Sequence, residues 1–166
     1  MRSIAKSLFT YANGFTLINI KIELILIGYS IIADIKKRGS MLAEQITKEN
    51  IAPMLRVFYT RILKDDLVAP YFMHELGDDL NNRYWKPHLK ILLDFWATQL
   101  LGEQSYQRNP LGPHTLMDEL SPEVFERWLK IFFKTVDEWY APEAATRFKE
   151  KGKSIAEGFM DELGLT

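Results

Sequence analysis

From residue 50 onward, apolar residues recur at the 3.6-residue period of an α-helix, and nowhere do they alternate as a half-buried strand requires. Ile51, Leu55, Phe58, Tyr59 and Ile62 fall at i, i+4, i+7, i+8 and i+11, the spacing of one buried face. With Asn50 as N-cap and Pro53 in the first turn, where a missing N–H costs nothing, they predict a helix over 51–64. A second stripe, Tyr84, His88, Ile91, Leu92, Phe95, Trp96 and Gln99, predicts a helix from about 83 to 101, closed by Gly102. Pro87 inside it implies either a kink or a helix that becomes regular only from about residue 84.

Ser121-Pro122-Glu123 is a helix start, with a capping hydroxyl, a proline at the first helical position and an acid at the positive end of the dipole. The helix it opens runs to about Trp139 and turns Phe125, Trp128, Leu129, Phe132, Val136 and Trp139 inward. A last helix from Pro142 carries Phe148, Gly152, Ile155, Phe159 and Leu163 before Gly164. Residues 68–72 form a short apolar piece around Pro70, and 74–79 read as a polar turn. Residues 102–113, with two glycines and two prolines, read as loop, followed by a short turn at 114–117. The expected class is all-α, without repeats.

A chain of 166 residues suits one domain, and near ~150 residues a domain buries about 70% of its unfolded surface. Aromatic residues make 13% of the composition, enough to wrap a flat apolar ligand as well as a core. The absence of cysteine excludes disulfides, thiolate zinc sites, iron–sulfur clusters and a cysteine nucleophile. With net charge −1 and thinly spread Lys and Arg, no nucleic-acid partner is expected.

Residues 1–40 differ in kind: six Lys or Arg against two acids give +4, leaving −5 for 41–166. Between Phe15 and Ile35 the chain is rich in Ile and Leu, but Lys21 and Glu23 interrupt it. The charge-free stretch 24–33 is shorter than the ~18 residues a spanning helix needs. No small-x-small cleavage site follows it, so a signal peptide or membrane anchor is not the favoured reading. Residues 1–40 are expected to be an N-terminal extension, with Met41 as the working start: Lys36-Lys37-Arg38-Gly39-Ser40 is what a purine-rich ribosome-binding site would give if translated. The domain is then 41–166.

For metal chemistry the chain offers three histidines. His74 lies in the polar turn and reads as solvated. His88, on an apolar helix face, taken alone reads as a hydrogen-bonded core residue more readily than as a ligand. His114 follows a rigid loop and is well placed to be fixed, but taken alone it leaves the same two readings open. Tyr59 and Trp128 would be core residues in most proteins, their polar tips satisfied by backbone.

Taken together, Phe58-Tyr59, Trp85-x-x-His88, Phe95-Trp96, Leu101-Gly102-Glu103, Pro110-Leu-x-x-His114 and Phe125-x-x-Trp128-Leu129-x-x-Phe132 resemble the third group of truncated haemoglobins, in order and spacing, over about 47–163. The other two groups use Gly-Gly pairs in their loops, and no Gly-Gly occurs here. The resemblance implies a two-over-two helical sandwich around one haem b per chain, in a cytoplasmic protein. It implies His114 as proximal ligand of the iron, Tyr59, His88 and Trp128 as the polar distal groups, and Phe58, Phe95 and Trp96 as pocket lining. The function it implies is reversible binding of dioxygen or another diatomic ligand. Nitric oxide dioxygenase or peroxidase-like chemistry is the alternative, with electrons from an external reductase because the chain has no Gly-rich nucleotide fingerprint. A haem-free helical interaction module is the third reading.

Overall fold

The computed structural model describes residues 42–117 and 120–166, so the expectations for residues 1–40 lie outside it. Five α-helices make up the described chain: α1 (Lys48–Ile62), α2 (Ala69–Leu76), α3 (Trp85–Leu101), α4 (Pro122–Trp139) and α5 (Pro142–Glu162), with a 3-10 turn, Gly112–Leu116, before α4. No strand occurs among the described residues, only an isolated bridge between Ala43 and Tyr140. α1 packs on α3 and α4 on α5; the two pairs stack, α1 against α4 and α3 against α5. This is the two-over-two sandwich.

α1 begins three residues earlier than the proline suggested. Thr47 is its N-cap, and Asn50 sits at the third helical position, completing a capping box. Asn50 Oδ1 accepts the Thr47 N–H at 3.0 Å and the Tyr140 hydroxyl at 2.8 Å. The α4–α5 corner is thereby tied to the start of α1. Pro53 therefore stands in the second turn, where it removes the donor to the Glu49 carbonyl; Glu49 is exposed, so water can replace it.

Residues 74–76 form the last turn of α2 rather than a polar turn. Pro70 near its start is compatible with the first turn, and Asp65 Oδ1 accepts the N–H groups of Leu67 and Val68 just before it, both at 3.2 Å. Gly77, at φ 77°, ends it. Asn82 then bridges two helices: its Nδ2 donates to the Leu76 carbonyl at 2.6 Å, and its Oδ1 accepts the N–H groups of Tyr84 and Trp85 at 2.8 Å.

Since α3 starts at Trp85, Pro87 occupies its third position, where no intrahelical acceptor is lost. Gly102, at φ 73°, closes the helix as expected. The apolar arc of α3 is wider than the predicted stripe. Trp85, Trp96, Ala97 and Leu100 are buried, Tyr84 is half exposed, and His88, Ile91, Leu92 and Phe95 are only partly covered.

Candidate functional site

Those partly covered residues of α3 border a cavity of about 430 Å³, within the ~300–1,000 Å³ of small-molecule and cofactor sites. Tyr59 of α1 contributes to it, as do Tyr71, Phe72 and Glu75 of α2, Val124, Phe125 and Trp128 of α4, and Ile155, Ala156 and Phe159 of α5. The segment from Tyr106 to Met117 brings His114. The wall is mainly apolar, with few polar groups.

His114 sits in the 3-10 turn, whose start is set by Pro113 and by the His114 N–H bonding the Leu111 carbonyl at 2.8 Å. Its ring Nδ1 lies 2.8 Å from the Pro110 carbonyl oxygen, which can only accept, so Nδ1 carries the proton. Among the described residues Nε2 has no hydrogen-bond partner and is left as a bare lone pair. It borders open space, because no described side-chain nitrogen or oxygen is both enclosed and unpaired. Burial holds the ring below the ordinary histidine range, against a smaller upward pull from the Pro110 bond, so it is neutral at pH 7. Phe159 packs on it at 4.7 Å between ring centroids.

A second polar group faces the same cavity. The Tyr59 ring stands 6.3 Å from His88 and 5.3 Å from Trp85, both edge-on or tilted. Burial pushes the Tyr59 hydroxyl well above its ordinary value, against a smaller downward pull from the Trp128 indole, so it keeps its proton. A protonated hydroxyl at the cavity wall can donate its hydrogen to an acceptor placed there. His88 is pushed down to about 4 by burial first and then by the charge His114 would carry. Among the described residues no ring contact joins His114 to Tyr59, His88 or Trp128, although all four border the cavity.

The structure thus brings Tyr59, His88, Trp128, Phe95, Trp96 and His114 to one cavity. Phe58 stands behind the wall: fully buried, it packs edge-on against Tyr59 at 4.8 Å, Trp128 at 5.1 Å and Phe132 at 5.3 Å. His74 is exposed and paired with Glu75, as its polar surroundings suggested. Pattern reading assigned no role to Trp85, which is buried, stacks with Phe72, donates its indole N–H to the Gly77 carbonyl at 2.7 Å and touches both Tyr59 and His88. Its place in the Trp85-x-x-His88 motif was the available signal.

A flat apolar group that carries its own metal donors fits this site. Among the described residues no three His, Asp or Glu converge on a metal-sized point, so the cavity offers a metal single imidazoles. One neutral imidazole with a backbone-fixed tautomer is the axial ligand that haem needs.

No family model matches the chain. It is 32% identical over 120 residues to the group 3 truncated hemoglobin ctb of Campylobacter jejuni subsp. jejuni, a match spanning 72% of this chain and 93% of that protein. The crystal structure of a group III truncated hemoglobin from Campylobacter jejuni matches with a TM-score of 0.69 at 32% identity, covering 74% of this chain and 95% of that one.

Proposed function

The chain belongs to the group III truncated haemoglobins, and we propose that its domain, residues 41–166, binds one haem b through His114 and takes dioxygen or another diatomic ligand beside Tyr59, His88 and Trp128. The observation that carries this reading is the His114 ring, with Nδ1 committed to the Pro110 carbonyl and a bare Nε2 at an apolar cavity. Haem, when bound, supplies a ferrous iron that takes diatomic ligands reversibly.

The chain's own residues do the rest. His114 presents a neutral nitrogen, and the Pro110 carbonyl fixes its tautomer and raises its basicity. Apolar side chains from α3, α4 and α5 exclude water, which strengthens any hydrogen bond made inside. Tyr59 keeps its proton and would donate a hydrogen bond to a ligand atom that gathers negative charge. Such a charge-assisted bond is worth about 1.5–3 kcal/mol, or roughly one to two decades in the rate of ligand loss. The Trp128 indole borders the same cavity and, with one N–H and no acceptor, stands as the second donor.

Turnover of peroxide asks for a proton acceptor matched to neutral pH. His88, pushed to about 4, is a poor one, and sustained turnover of nitric oxide or peroxide would draw on a separate reductase. Ligand binding is therefore the better-supported role. No helix of the described residues is long and apolar enough to cross a membrane.

Stopped-flow dissociation of dioxygen from the reduced protein tests the distal assignment. Tyr59→Phe should retain haem and release dioxygen about tenfold faster. An unchanged rate would remove Tyr59 from the ligand site.

A further inference from the structure

Among the residues bordering the cavity, Arg108 is the one Lys or Arg, and no hydrogen bond or ion pair among the described residues engages its guanidinium. Its charge is felt at the Tyr106 hydroxyl. The other residue of fixed charge in the wall, Glu75, is an acid already paired with His74 at 2.7 Å.

The backbone around Arg108 is held on both sides. Before it, Ser105 Oγ donates to the Asp94 carbonyl at 3.3 Å, the Tyr106 N–H bonds Thr98 Oγ1 at 3.1 Å, and the Tyr106 ring meets Phe95 edge-on at 5.2 Å. After it, Asn109 Oδ1 accepts the Leu111 N–H at 3.0 Å, and Pro110 holds the His114 ring. One short segment therefore carries both the group that orients the iron ligand and the cavity's unpaired cation.

Haem is apolar over most of its surface and carries two carboxylates on one edge. In a mainly apolar cavity whose described wall holds one unpaired cation and one acid, that edge is driven toward the cation and away from Glu75. We propose that Arg108 receives the carboxylate edge of the haem, so that the ring seats with this edge against the 106–110 segment. The inference rests on the haem reading above and adds to it the in-plane orientation of the ring.

Arg108 is exposed, and exposed pairs are weak and screened by salt. The expected effects are correspondingly modest. The full chain, loaded either with haemin or with haemin dimethyl ester, is mixed with excess apomyoglobin, and transfer is followed by Soret absorbance. Arg108→Glu should speed haemin loss about tenfold and Arg108→Ala about threefold at low salt, with Arg108→Lys near the wild-type rate. The ester, which has no charged edge, should leave all four proteins at one common rate.

Equal acceleration for haemin and its ester, or no acceleration for either, would overturn the proposal. Helix content by circular dichroism, unchanged in Arg108→Glu, separates a local effect from unfolding. A wild-type chain that takes up no haemin overturns this inference together with the haem reading; one that holds haemin without regard to residue 108 overturns this inference alone.

Discussion

His114 and His88 are neutral for one shared reason, burial beside an apolar cavity, yet their nitrogens are committed differently. His114 gives Nδ1 to Pro110, whereas no hydrogen bond among the described residues engages the His88 ring, which meets the Tyr59 and Trp85 rings at 6.3 and 5.6 Å. Its folded-state value of about 4 lies below the ordinary 6.5, so the unfolded chain binds the proton first as pH falls. The contribution of His88 is complete above about pH 6.5 and is lost as pH falls toward 4. In the haem-free protein, urea midpoints should decline across that window, by at most about 1.4 kcal/mol per pH unit for one group. His88→Leu should flatten the decline without abolishing it, because His114 is shifted in the same direction. A slope untouched by His88→Leu would show that His88 is as accessible folded as unfolded. The sequence showed His88 on an apolar face, but not its neutrality, which comes from α1 and α2 closing over it through Tyr59 and Phe72.

Elements with long periodic stripes were legible, and their differences from expectation have local causes. α4 and α5 begin and end within about a residue of the predicted bounds because Ser121-Pro122 and Pro142 set their starts. α2 was hidden because it is eight residues long, too short for periodicity to stand out, and its order depends on contacts from Asp65 and Asn82 that no local pattern reveals. α3 presents two adjacent faces: Trp85 and Leu100 enter the core, His88, Ile91 and Phe95 border the cavity, and buried Trp96 reaches both. A single stripe merges them and turns Tyr84 inward, although it is 50% exposed. Helix packing also explains Gly152. A Cβ there would stand 2.8 Å from Phe132, whose ring stacks between Trp96 and Trp128 at 4.9 and 5.0 Å. Gly152→Ala should therefore destabilise the fold by about 1–3 kcal/mol in denaturant unfolding despite the better helix propensity of alanine. A neutral or stabilising result would mean that the α4–α5 contact yields more easily than its ring stack suggests.

At the scale of the whole molecule, the sandwich is closed along the contact of α1 with α4, where Arg61 bonds Thr135 at 3.0 Å and pairs with Glu138. On the side of α3 and α5 it stays open around the cavity. The order of aromatic and histidine motifs made the site residues legible through their resemblance to a family, and the architecture followed from it. What that resemblance did not carry is the local wiring: the Pro110 bond to His114, and Trp85 in contact with both Tyr59 and His88. These join residues across helices or within a loop, where periodicity carries no information. The central claim is that a single fixed imidazole grips the cofactor, and it is tested most directly by titrating the purified haem-free chain with haemin while recording the Soret band. The account predicts saturation at one haemin per chain in the wild type. It predicts a weak or absent band for His114→Ala, partly restored when free imidazole is added. A His114→Ala protein whose band and saturation match the wild type would contradict it.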